Sequence, residues 1–147
     1  MIHDNESGAS LWEVLIALSI AVILIAATTA PLVNTEKREL YNAALALQQD
    51  IRYTRELALI NAKSYRIQVS ETSYKIFAFD EGSKHAAVIY LANGVKAEFH
   101  SDSNFDFKPY GTPSVSNKIT LRSRNGKYAQ EVRILPVSGR VAIYPAK

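Results

Sequence analysis

The chain has 147 residues, of which 48% are hydrophobic, a formal net charge of +3 and no cysteine. That length holds one modest globular domain with a segment left over. The missing thiol excludes disulfides, zinc–thiolate sites and thiol catalysis, and so small a charge does not by itself call for nucleic acid.

The hydrophobicity is uneven along the chain. Ala9–Thr35 is a run of 27 residues with a single charge, Glu13. About 20 helical residues cross a hydrocarbon core, so the run is long enough to span one. A carboxylate at mid-bilayer costs roughly 2.5–3.5 kcal/mol, and Val14–Thr35 offers no basic residue to pair it. An interfacial position or protonation would lower that cost. The run exceeds the roughly 7–15 apolar residues of a secretory signal. Met1–Ser7 carries Asp4 and Glu6 and no Lys or Arg; its Asn5-Glu6-Ser7 also matches a glycosylation sequon.

Pro31 follows the weak helix formers Thr28 and Thr29, which predicts a kink. The helical pattern then resumes. Leu40, Ala44, Leu47, Ile51 and Ala58 recur at three- and four-residue steps, with Thr54 in the same stripe and Arg38, Gln48, Arg52 and Arg55 off it. The reading is one helix over about residues 10–62, roughly 80 Å at 1.5 Å per residue, with 9–35 in lipid and 36–62 amphipathic.

After Asn61 the period changes from 3.6 to 2. SYRIQVS, YKIFAF, AVIYL, VKAEF, KITLR, EVRIL and RVAIY read as strands. Gly82, Gly94, Gly111, Gly126 and Gly139 punctuate them, and Asn93-Gly94 and Asn125-Gly126 signal hairpins. HSDSNFDFKPYGTPSVSN reads as the longest irregular stretch. The expected fold class is α+β, with a long N-terminal helix packed on one antiparallel sheet of about seven strands over 63–147.

Gly8-Ala9-Ser10-Leu11-Trp12-Glu13, followed by 22 uncharged residues, resembles the cleavage and methylation segment of type IV pilins and pseudopilins, usually Gly-Phe-Thr-Leu-Ile-Glu. LALQQDIRYTRELALINAKSYRIQV and FDFKPYGTPS…KITLR…EVRILPVSGRVAIY are similar to the GspH/FimT group of minor pseudopilins. Competence pseudopilins are similar there too. The resemblance implies a pilin-like fold, removal of leader 1–8 by a prepilin peptidase cutting between Gly8 and Ala9, and N-methylation of Ala9. It also implies a role for Glu13 in subunit assembly, paired with the new α-amine of a neighbour. Ala9 stands where the family usually has phenylalanine, and Lys37 and Arg38 follow the span, against the positive-inside bias.

Other chemistry has weak support in the sequence. His3, His85 and His100 show no metal-ligand spacing, and there is no phosphate loop, nucleophile elbow or His-Glu-x-x-His. Asp102 and Asp106, near His100, read as solvated loop residues. On strand alternation Lys118, Arg122 and Arg124 share a face, with Arg133 and Arg140 nearby; together they are candidates for contact with nucleic-acid phosphates, the other reading being a solvated face. Gly139-Arg140-Val141-Ala142 keeps one arginine of the Gly-Arg-x-Arg that some DNA-binding relatives carry.

The resulting expectation is a structural subunit rather than an enzyme, without cofactor or metal. It is a minor pseudopilin of the inner membrane, single-pass with its C-terminal domain extracytoplasmic, drawn into a filament for protein export. Its partners would be other pseudopilins or pilins, the prepilin peptidase, the inner-membrane assembly platform and membrane lipid. The alternatives are a DNA-binding minor pilin of a competence system and an anchored binding domain that never polymerises.

Overall fold

The computed structural model describes residues 11–29, 35–81, 86–92, 94–99 and 103–146. The chain divides into two compact units, Met1–Thr35 and Glu36–Lys147.

In the first unit, helix α1 spans Leu11–Thr29. Ser19 Oγ donates to the Leu15 carbonyl at 2.8 Å, which satisfies the hydroxyl within the helix. Eleven large apolar side chains between Leu11 and Ile25 are exposed. They lie on every side of the helix, so α1 has no polar face. Among the described residues no helix is long and apolar enough to cross a membrane. The leader, Gly8, Ala9, and Pro31 with its expected kink all lie outside the described residues.

The second unit is organised by helix α2, Thr35–Asn61. Its buried residues are Leu40, Ala43, Ala44, Leu47, Ile51, Thr54 and Ala58, the stripe that the sequence period marks out, widened by Ala43. Thr54 is tolerated there because its Oγ1 donates to the Asp50 carbonyl at 2.7 Å. Past the helix end, Ala62 takes a left-handed φ of 50°, a common way for a helix to stop.

Among the described residues eight strands follow: β1 Tyr65–Val69, β2 Ser73–Ala78, β3 Ala87–Tyr90, β4 Lys96–Phe99, β5 Asn104–Phe107, β6 Asn117–Arg122, β7 Ala129–Ile134 and β8 Val141–Pro145. They form two four-stranded antiparallel sheets, in the orders β3-β2-β1-β5 and β4-β6-β7-β8. This corrects the expected single sheet of about seven strands.

Two local misreadings account for the difference. Asn104-Phe105-Asp106-Phe107 sits within the stretch read as irregular. Its alternation is only four residues long and its polar positions are poor strand formers, yet Phe105 and Phe107 are buried, edge to face with centroids 6.1 Å apart. Asp106 is therefore a strand residue, and Arg66 grips it through Nε at 2.6 Å and Nη2 at 2.8 Å from the facing position of β1. The second misreading is Gly94. A turn forms there, with Val95 N donating to the Ala92 carbonyl, but β3 and β4 belong to different sheets, so it makes no hairpin. Asn125-Gly126 does close one, between β6 and β7.

The inner faces of both sheets meet the α2 stripe in one core that includes Ile67, Phe105, Phe107, Ile119, Leu121, Val132 and Val141. Leu47 is fully buried at its centre. Leu47→Ala is expected to lower unfolding stability by about 2–5 kcal/mol, with the loss of both sheets in one transition, as read by chemical denaturation.

Candidate functional site

Glu13 occupies the first turn of α1 and is exposed, at the helix end where the dipole favours an anion. It is the one charged residue of that helix.

Three of the five basic residues marked in the sequence come together on the outer face of the second sheet. Lys118 faces Arg133 across β6 and β7, and Arg122 follows on the same side of β6. Each has a carboxylate partner. Lys118 Nζ lies 2.8 Å from Glu131 Oε1, Arg133 Nη2 lies 2.5 Å from Glu131 Oε2, and Arg122 Nε lies 2.7 Å from Glu98 Oε1. Arg133 also stacks on Tyr144, 4.9 Å from its ring centroid. Glu131 is buried, and its hydrogen bonds to Lys118 and then Arg133 hold it below the usual carboxylate range. The face is thus a cross-strand ion-pair network rather than a row of free cations. Arg124 and Arg140 are exposed and make no ion pair among the described residues.

Arg140 belongs to a different grouping, which the sequence did not disclose. Two flanks of α2 border its apolar stripe. On one flank Asp50 accepts a short hydrogen bond from the Tyr74 hydroxyl of β2. Burial first, and then that carboxylate, push the phenol well above its ordinary value, so it stays a neutral donor. On the other flank Gln48 Nε2 and Arg52 Nη2 both donate to the Val141 carbonyl, at 3.0 and 3.2 Å, at the start of edge strand β8. One turn further, Arg55 Nε donates to the Gly111 carbonyl at 3.0 Å.

This contact requires glycine in the β7–β8 turn. Gly139 has φ +62°, and a Cβ there would sit 3.0 Å from both Arg55 Nε and the Gly111 carbonyl oxygen. The same turn holds Val137 at φ 68°, a strained conformation for a β-branched residue. Arg52, Arg55 and Arg140 consequently line one cavity of about 260 Å³, together with Glu56, Ser138 and Gly139. The 52/55 spacing on one helix flank was the available sequence signal; the turn that meets it was not. Among the described residues no group of His, Asp and Glu could hold a metal ion.

Solved structures of other proteins share this fold. The minor pseudopilin EpsH from the type II secretion system of Vibrio cholerae superposes with a TM-score of 0.60 at 11% identity, over 73% of this chain and 97% of that one. The type IV minor pilin FimU of Pseudomonas aeruginosa superposes with a TM-score of 0.62 at 20% identity, over 76% of this chain and 92% of that one. No protein-family model matches the sequence, and no curated protein matches it. The chain has the pilin-like fold of the GspH/FimT type.

Glu131 supplies a pH test of the ion-pair network. Its folded pKa lies below the unfolded value, so its contribution is present above the ordinary carboxylate pKa and is lost as pH falls through the folded one. Glu131→Gln is expected to be less stable than wild type at neutral pH by about 1 kcal/mol, since its cations are partly exposed. The two proteins should converge below the ordinary carboxylate pKa, as read by denaturant midpoints across pH.

Proposed function

We propose that this protein is a minor subunit of a type II secretion or type IV pilus-like filament, structural rather than catalytic. The observation that carries the reading is α1. It is apolar all round, carries one acid in its first turn, and belongs to a chain whose folded unit is pilin-like. A helix with no polar face is covered by protein or by lipid. The described helix alone falls short of a span; the uncharged sequence that follows Glu13 runs on to Thr35 and supplies the remaining length.

On this reading the chain inserts in the inner membrane with its C-terminal unit extracytoplasmic. A prepilin peptidase cuts between Gly8 and Ala9, and Ala9 is N-methylated. The cut creates an α-amine, with a reference pKa near 7.7–8.0. Glu13 pairs with that amine on a neighbouring pilin or pseudopilin, which offsets much of the cost of desolvating either charge and sets the axial register between helices. Before cleavage there is no amine at that place, so assembly follows processing. The assembly platform then draws the subunit out of the lipid, and the filament serves protein export.

Mass spectrometry of the membrane-extracted protein is expected to find Ala9 first. Gly8→Leu is expected to leave an uncut precursor; normal maturation of that variant would refute the cleavage site. Glu13→Gln is expected to insert and mature normally but to assemble poorly, because it strands an amine at a cost of about 3–5 kcal/mol before relaxation. Cross-linking of cysteines introduced along residues 10–30 reads this out. Equal subunit cross-linking in wild type and Glu13→Gln would exclude the pairing.

A further inference from the structure

We propose that the cavity between α2 and the β7–β8 turn is a receptor for the carboxylates of an acidic protein segment. The proposal rests on the cavity's own charges and does not depend on the filament reading.

Three guanidinium groups, those of Arg52, Arg55 and Arg140, line about 260 Å³ of concave space. None of them has an ion-pair partner among the described residues. Glu56 is the one carboxylate on the wall, and it is in no ion pair among the described residues. The local balance is three cations against one anion, a net charge of +2. This contrasts with the sheet face, where Lys118, Arg122 and Arg133 are all taken up by Glu98 and Glu131.

The arginines are also held in place. Arg52 spends one N–H on the Val141 carbonyl and Arg55 spends its Nε on the Gly111 carbonyl. Each guanidinium has five N–H donors, so most remain for a ligand. Anchoring by backbone carbonyls removes part of the side-chain entropy that binding would otherwise cost. The planar fork of arginine matches a carboxylate through two parallel hydrogen bonds. Gly139 allows the close approach of Arg55, and the strained turn at Val137 leads directly into Ser138-Gly139-Arg140.

A nucleic acid shares the oxyanion chemistry but asks for different geometry. It presents phosphates in a regular row and is met by a row of free cations. Here the row on the sheet is neutralised, and the free cations converge on a recess sized for one or two carboxylates. A peptide carrying Glu or Asp side chains suits that recess better than a continuous polyanion.

The test uses the full chain in detergent micelles at low salt. Its probes are a fluorescein-labelled octapeptide of alternating Glu and Ser, and a labelled single-stranded oligonucleotide of equal net charge. Anisotropy is expected to show peptide binding. Arg140→Gln is expected to weaken it by roughly fivefold or more, the scale of one charge-assisted hydrogen bond, with Arg52→Gln similar. Lys118→Gln and Arg122→Gln are expected to leave it within about twofold, because those cations do not line the cavity and are already paired with Glu131 and Glu98. The Arg140 side chain bonds to nothing described, so Arg140→Gln should keep its fold and its thermal midpoint; Arg140→Lys should retain part of the affinity. Absent peptide binding would overturn the proposal, as would equal binding by Arg140→Gln. Tighter binding of the oligonucleotide, with the same loss in Arg140→Gln, would reassign the cavity to nucleic acid.

Discussion

The second unit depends on one constraint: two sheets that share no strand must bury their inner faces against the same helix. The α2 stripe from Leu40 to Ala58 does this, and its two flanks hold one sheet each. Asp50 reaches Tyr74 in the first sheet, while Gln48 and Arg52 reach Val141 in the second. Both are long-range bonds between polar groups that would otherwise lose water on folding. The Val141 carbonyl would otherwise be an unpaired edge group, and two side-chain donors satisfy it. The helix therefore caps a sheet edge as well as filling the core. A backbone bond from Ala97 to the Glu71 carbonyl, with the Lys96–Glu71 ion pair beside it, also links the start of the second sheet to the β1–β2 turn.

How much of this was legible follows from how far each signal reaches along the chain. The α2 stripe is periodic over nearly twenty residues, so the burial of Leu40, Leu47 and Ile51 could be read directly. Strand β5 could not. Asn104 and Asp106 disfavour strand, and what fixes the segment is Arg66 across the ladder and the Phe105–Phe107 contact inside the core. The same limit applies to the sheets. Alternation tells which residues face inward, but not that β4 pairs with β6 instead of β3. For the sites, alternation along β6 puts Lys118 and Arg122 on one face with Arg124, whereas the group that forms is Lys118, Arg122 and Arg133. Glu98 for Arg122 and Glu131 for Lys118 are supplied by neighbouring strands, a contact that spacing within one strand does not contain, whereas the Arg133–Glu131 pair is two residues apart within β7. Arg52 and Arg55 were read as charges off the stripe, and only the turn at Gly139 shows what they face.

Charge is distributed differently in the two parts of the molecule. On the sheet faces most cations are compensated: Arg66 by Asp106, Lys96 by Glu71, Lys118 and Arg133 by Glu131, Arg122 by Glu98. Compensated surface ion pairs contribute little stability one by one, and a face laced with them has little left to offer a charged partner. In α1 the reverse holds. A fully buried Leu, Ile or Val side chain is worth roughly 1.5–3 kcal/mol relative to exposure, and eleven large apolar side chains stand exposed there. Even a partial cover for that helix outweighs any single contact in the second unit.

The same contrast explains why one carboxylate in α1 carries more information than many in the sheets. Glu98 and Glu131 sit beside cations of their own chain, so removing one changes a local pair whose remaining members still meet water. Glu13 has no basic residue among the 22 that follow it. In a nonpolar cover an unmatched charge is costly, and the cost grows as water is excluded. A group with that property discriminates between covers. A neighbouring helix that brings a cation to the first turn lowers that cost at one axial position only. Hydrophobic contact between two largely apolar helices is nearly indifferent to sliding, and Glu13 is the one charged group of α1 that breaks this indifference.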